Sequence, residues 1–131
     1  MNSPEVALRE VILASMPDVG VYPVIAPTTA KLPFIVYRRA AIIREATFLG
    51  PLGHPKVTAE ITIIDRTYEG VRQTADTVRQ TIDGWTGIVD NVLIQQTHLT
   101  QESDSYAQLQ GAEMPEVYTV TQSYEVIWKE T

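Results

Sequence analysis

Between residues 56 and 64, apolar Val57, Ala59, Ile61 and Ile63 alternate with Thr58, Glu60 and Thr62. A period of two is what a strand with one buried face requires, because successive side chains point to opposite sides of a sheet. The period then changes. From about Thr67 to Asp83, Tyr68, Val71, Ala75, Val78 and Ile82 recur at spacings of three and four, which predicts a helix laying one apolar stripe on that strand's sheet. Thr67 or Asp65 supplies an N-cap, Gly84 is the residue best suited to a left-handed cap, and Trp85 can fold back onto the last turn. A first helix is predicted from about residue 4 to 16. Ser3 is a good N-cap, Pro4 a good first helical residue, and Glu5 stands in the first turn, where the helix dipole favours a carboxylate. Leu8, Val11, Ile12 and Ser15 share one face of it, Val6 and Leu13 widen the apolar coverage, and Pro17, Asp18 and Gly20 close it.

The remaining segments read as strands and long connections. Residues 21–25 form a short strand that Pro23 confines to an edge or a strand end. Residues 27–33 hold two prolines, two threonines and a lysine without an apolar period, and read as a loop. Residues 34–43 form a strand with apolar side chains pointing both ways, so both faces need a cover. Residues 44–55 carry Gly50-Pro51 and Gly53-His54-Pro55, a long connection that also holds Phe48, Leu49 and Leu52. Residues 88–99 alternate in part and read as a strand, 101–115 as a long polar loop, and 116–129 as a final strand. In that last strand Tyr118, Val120, Tyr124, Val126 and Trp128 share a face, with Thr119, Thr121, Ser123 and Glu125 on the other. The passage from residue 56 to 99 predicts a right-handed strand, helix, strand crossover, and the first and last strand pairs look like hairpins with long tips. The expectation is an α+β fold: one domain over residues 1–131, with a mostly antiparallel, roughly four- to five-stranded sheet and two helices packed on one face.

Composition narrows the class. With 131 residues, 44% hydrophobic and 20% charged, the chain fits one globular domain and excludes a wholly disordered or fibrous one. Its net charge of -6 argues against a general phosphate-binding surface, so no specific nucleic-acid contact is expected. The absence of cysteine removes disulfides, thiolate metal sites and a cysteine nucleophile, and suits a reducing cytoplasm. No apolar run approaches the roughly 20 residues of a membrane helix, so neither an anchor nor an export signal is expected.

Residues that carry chemistry are few. His54 lies between Gly53 and Pro55, and His98 lies in a strand; neither has a second histidine three or four residues away, so metal-ligand spacing is absent. His98, Ser103 and Asp104 contain the letters of a triad, but no strained Gly-x-Ser-x-Gly elbow presents the serine. Gly50 and Gly53 are followed by no lysine in phosphate-loop spacing and read as a turn. Arg38, Arg39 and Arg44 read as a solvated strand edge, and Trp85 and Trp128 as core or cap residues. No catalytic residue, cofactor site or metal site is expected.

The order of Tyr22-Pro23, Leu32-Pro33-Phe34-Ile35-Val36-Tyr37, Asp65-Arg66-Thr67-Tyr68-Glu69 and Asp83-Gly84-Trp85 resembles the phage tail-completion and tail-terminator family. The resemblance spans roughly Val6 to Trp128 and rests on the order and spacing of weak motifs. It implies a structural virion protein of a long-tailed phage or prophage. Such a protein is a subunit of a hexameric ring that caps the head-proximal end of the tail tube and joins tail to head. The implied partners are further copies of the chain, the tail tube protein and the head-tail connector protein. The implied places are the virion tail and, during assembly, the host cytoplasm. The residues expected at partner interfaces are Phe34, Ile35, Val36 and Tyr37, whose consecutive apolar side chains send one pair to each sheet face, with Phe48, Leu49, Leu52 and Tyr106. The competing reading is a small-molecule-binding or enzymatic α+β domain with a pocket between sheet and loops, using His98 or Tyr106 as polar groups.

Overall fold

The computed structural model describes residues 3–27, 29–43, 46–47, 50–51, 56–108 and 116–130. Along the chain these form α1 (Pro4–Ser15), β1 (Gly20–Pro23), β2 (Phe34–Ile43), β3 (Ala46–Thr47), β4 (Gly50–Pro51), β5 (Lys56–Asp65), α2 (Tyr68–Ile82), β6 (Gly87–Val89), β7 (Val92–Gln108) and β8 (Glu116–Glu130). The main sheet has six strands in the order β1-β2-β5-β8-β7-β6, and β3 pairs with β4 apart from it. All pairs are antiparallel except β1 with β2. The fold is therefore α+β with two helices and a mixed sheet.

Both helices lie on one face of that sheet. Val57, Ala59, Ile61 and Ile63 of β5 turn towards them, and each is at most 1% exposed. In the β5–β8 register Val57 stands beside Val126, Ala59 beside Tyr124 and Ile63 beside Val120, so the two alternating strands bury the same face. Ala7, Leu8 and Ile12 of α1 and Val71, Ala75, Val78 and Ile82 of α2 complete the core. The helix ends follow local chemistry. Thr67 Oγ1 accepts from the Gly70 amide at 3.0 Å, and Gly84 takes the left-handed conformation (φ 79°) that ends α2. Ser3 stands at the N-cap of α1, but its side chain makes no capping bond; its carbonyl accepts from Ala7 instead.

The opposite sheet face is polar over its centre, with Thr62 and Thr121 joined hydroxyl to hydroxyl at 3.3 Å and Arg38 paired to Glu60. Towards one end of this face a second apolar cluster of Phe34, Ile64 and Val117 is covered by Tyr22, Ala26, Ala30 and Leu32.

Three details differ from the sequence reading. The sheet has six strands, because the span 88–99 is broken by Asp90 and Asn91, both at positive φ (49° and 67°), as the centre of a two-residue hairpin loop requires. Much of the expected loop 101–115 is strand: β7 runs on to Gln108 against β8, and residues 109–115 lie outside the described residues. Register shifts at Ile94/Gln96 and Leu99/Gln101 change which parity of residue faces the helices, and that hides the strand from a period-two reading. Finally, β1 joins β2 in parallel, with Gly20 beside Phe34 and Pro23 beside Tyr37, rather than as a hairpin. The pairs β2–β5 and β7–β8 are antiparallel, as expected. Strands β5 and β7 both run antiparallel to the intervening β8, so α2 links two strands of one direction with a third between them.

Two polar side chains of the sheet, Thr97 and Gln122, are buried among the described residues, and Gln122 is the one that reaches a helix of the core. Gln122 is fully buried; its Nε2 donates to the Ala75 carbonyl of α2 at 2.9 Å and to Glu102 Oε2 at 2.8 Å, and its Oε1 accepts from the Tyr124 hydroxyl at 2.7 Å. Every strong hydrogen-bonding group of the amide is thereby used, and α2 is tied at its middle to β8. Gln122→Leu is expected to lower stability by about 1–3 kcal/mol, since the shape is kept while the Tyr124 hydroxyl and the Ala75 carbonyl lose partners; thermal unfolding followed by circular dichroism measures this. Burial pushes the Tyr124 hydroxyl well above the ordinary 10.0, and Asp83 and Glu102 push the same way. A raised acid contributes stability that is complete below its unfolded value and is lost as pH climbs towards the folded value. Stability is therefore expected to fall above about pH 10, with Tyr124 among the last tyrosines to ionise in an ultraviolet titration.

Candidate assembly surface

The expected interface residues separate once placed in the sheet. Ile35 and Tyr37 of β2 point into the main core beneath α1. Phe34 points the other way, yet is only 6% exposed, because the Tyr22 ring meets it edge to face at 6.3 Å and Ala26, Ala30 and Leu32 close over it. Val36 is half-buried against the same cluster. The cover for the Phe34 end of the second face of β2 thus comes from the chain's own Tyr22, Ala26, Ala30 and Leu32. Phe48, Leu49 and Leu52 lie outside the described residues. Tyr106 is 52% exposed near the end of β7.

Exposed apolar side chains gather at two separate places. The first is the corner where β1 leaves the sheet. Val24 and Ile25 are 69% and 77% exposed, beside Val6 of α1. Val24 adopts φ 63°, a left-handed conformation that a β-branched residue takes at a cost of about 1–3 kcal/mol. It is held there by its amide, which donates to the Tyr37 carbonyl at 2.8 Å, and by Ile25, whose amide turns back to Pro23 at 2.6 Å. Two open clefts flank this corner. One of about 410 Å³ is lined by Glu5, Val6, Pro23, Val24, Tyr37, Arg38 and Arg39. The other, of about 570 Å³, includes Arg9, Leu13, Asp18, Tyr22 and Lys31. Arg39 reaches Glu5 at 3.0 Å, and burial raises the Tyr37 hydroxyl against the opposing pull of Arg9.

The second place is the far half of β7, beside the start of α2. Tyr68, Tyr106 and Tyr118 pack edge to face, with centroids 5.9 and 5.4 Å apart across Tyr118. The Tyr68 hydroxyl donates to Asp104 Oδ2 at 2.8 Å, a bond that raises its pKa. Arg72 sits between Glu102 (2.8 Å) and Asp104 (3.1 Å) and also reaches Asp76 at 3.5 Å; the hydrogen bond to Glu102 holds its proton more firmly. The Arg72 guanidinium thus holds Glu102 and Asp104 and shares Asp76 with Arg79, which reaches it at 3.9 Å.

Sequence reasoning placed Tyr68 in the buried stripe of α2, and the structure leaves it half exposed; it placed Val24 and Ile25 in a strand. The flanking Pro23 and Pro27 were the signal for the latter, since neither can donate to a ladder. His98 is exposed, in register with Glu125 on the sheet face away from the helices. Neither His98 nor Tyr106 lines either cleft. Among the described residues no group of three or more His, Asp or Glu side chains is placed to hold a metal ion, and no helix is long and apolar enough to cross a membrane.

No protein-family model matches the sequence, and no curated protein matches it. By fold the chain is similar to a chain in the structure of the virion of a native gene transfer agent particle. The TM-score is 0.71 at 9% identity, over 97% of this chain and 95% of that chain. At such identity the likeness is one of fold, and it runs nearly end to end through both chains.

Aspartate substitutions along the exposed and enclosed apolar positions check this geometry. Ile35→Asp is expected to abolish cooperative folding, because it buries a charge without a partner, and Tyr37→Asp to be less severe, because Arg9 lies near that side chain and the cleft beside it is open. Phe34→Asp is expected to loosen residues 22–32 first, visible as early hydrogen exchange there. Val36→Asp is expected to be the mildest of the four, and Ile25→Asp to change stability by less than about 1 kcal/mol, both by thermal melts.

Proposed function

We propose that this chain is a structural protein of a phage-like virion, and within that class a tail-completion subunit. It assembles as a hexameric ring on the head-proximal end of the tail tube, contacts the tube protein on one side and the head-tail connector protein on the other, and acts by assembly rather than catalysis. The observation that carries this reading is the end-to-end likeness of fold to a chain of a gene transfer agent virion. The motifs behind the family resemblance support it, since they fall at element junctions. Tyr22-Pro23 ends β1, Leu32 to Tyr37 opens β2, Asp65 to Glu69 carries the chain from β5 into the capped start of α2, and Asp83-Gly84-Trp85 ends that helix. Residues at junctions set the angles between elements, so a shared order of such motifs is what a shared fold needs even where the core residues differ.

The test is reconstitution. Purified protein added to cognate tail tubes is expected to give capped tubes of fixed length in electron micrographs; tubes that stay uncapped at saturating protein would overturn the reading. Deleting residues 48–52 is expected to leave a folded protein by circular dichroism that no longer completes tails.

A further inference from the structure

We propose that the cleft between the first turn of α1 and the β1–β2 corner is a docking site for an uncharged aliphatic segment of a partner protein, whose main-chain carbonyl accepts a hydrogen bond from the Tyr37 hydroxyl. The site is independent of the ring reading above.

The cleft, of about 410 Å³, has one wall from α1 (Glu5, Val6), one from the end of β1 (Pro23, Val24) and a floor from β2 (Tyr37, Arg38, Arg39). Tyr37 is its built polar group. The side chain is only 8% exposed, its ring belongs to the main core, and its hydroxyl has no hydrogen-bond partner among the described residues. Burial raises its pKa against the pull of Arg9, so at neutral pH the hydroxyl keeps its proton and is a donor. A second donor on the same strand, Arg39 Nε, is buried and also unpaired among the described residues. Buried donors are nearly always bonded in folded proteins, so two of them beside one open cleft call for an acceptor from outside the chain.

Charge decides what kind of acceptor. Arg39 holds Glu5 at 3.0 Å, Arg38 holds Glu60 at 3.0 Å, and Arg9, whose charge acts on Tyr37, holds Glu10 at 2.9 Å. The charges around the cleft are thus already matched, and an ionic ligand would have to break a pair to enter. A neutral carbonyl meets the donors without doing so. The rim adds an aliphatic surface, since Val6, Val24 and Ile25 are 36%, 69% and 77% exposed. Small-molecule sites enclose about 70–90% of their ligand, which a cleft open on one side does not do, whereas a protein segment brings its own cover.

The backbone at Val24 points the same way. This β-branched residue is held at φ 63°, and its amide donates to the carbonyl of Tyr37 itself at 2.8 Å. Asparagine would take that conformation at lower cost, and the exposed valine side chain gains little burial within its own chain to offset the strain. A partner that covers Val24 supplies the burial. Strain held in place by neighbouring bonds, at a residue whose side chain faces outward, is characteristic of a binding surface.

The test uses the full chain and three capped tripeptides, acetyl-Gly-Leu-Gly-amide and its Asp and Lys counterparts, with backbone amide shifts followed by NMR. The leucine peptide is expected to give saturable shifts confined to residues 5–6, 23–25 and 37–39, and the charged peptides to bind about tenfold more weakly. Tyr37→Phe keeps the ring and is expected to weaken leucine-peptide binding about fivefold while the thermal melt is no lower. Val24→Asn is expected to melt at the same or a higher temperature and still to bind more weakly, a split that a purely structural residue does not show. Absence of saturable shifts with the leucine peptide, equal binding by Tyr37→Phe, or preference for a charged peptide overturns the proposal. So does self-association of the chain that Val24→Asp abolishes, since a second copy is then the occupant.

Discussion

The ladder between β5 and β8 is the constraint on which the rest of the structure depends. It aligns ten residue pairs in register, and every second residue of the paired stretch is apolar in both strands save Gln122 of β8. A slip by one position would turn Val57, Ala59, Ile61 and Ile63 outward and bring Thr58, Glu60 and Thr62 under the helices, so burial enforces the pairing. Once that register exists, β2 can add only to the free side of β5 and β7 only to the free side of β8. The helices then have one apolar floor on which to lie. Gln122 refines the arrangement by giving the middle of α2 a buried polar anchor, beside the ties that Tyr68 and Arg72 make to Glu102 and Asp104 of β7.

The parts of the chain with one clean period were legible in the sequence. Strand β5, helix α2 with its Thr67 cap and Gly84 end, and the apolar face of β8 all follow from spacing alone. The rest was obscured for identifiable reasons. Asp90 and Asn91 turn the chain without the glycine that usually marks a two-residue hairpin, so β6 and β7 read as one strand. The far half of β7 holds Glu102, Ser103, Asp104 and Ser105, polar on both faces, and is ordered by its partner β8 rather than by its own pattern. Gln122 interrupts the apolar face of β8 at a position where only knowledge of Glu102, Tyr124 and the Ala75 carbonyl explains it.

The candidate surface was less legible than the fold, because exposure depends on what covers a residue and sequence pattern does not record the cover. Phe34 carries the apolar signal of an interface residue and is shielded by Tyr22 and Leu32 from a stretch with no period. Val24 and Ile25 look like strand residues and are turned outward by one backbone angle. Tyr106 was expected at a partner interface from the sequence; in the structure it is half exposed, and its neighbours Tyr68 and Tyr118 come from α2 and β8, elements distant in sequence.

The long pairing of β7 with β8 has a mechanical consequence. The two strands extend together to Gln108 and Glu116, with fifteen positions in register between them, and β8 is in turn laid against β5 along ten. A pull on the far end of this pair, directed along the strands, loads the β5–β8 ladder in shear. In that geometry the cross-strand hydrogen bonds share the load and must yield together, whereas a pull across the strands would open them one after another. The anchor from Gln122 to the middle of α2 brings the helix layer into the same shear. The molecule is therefore stiff along its strands and compliant across them, a directional strength suited to a part through which tension is passed.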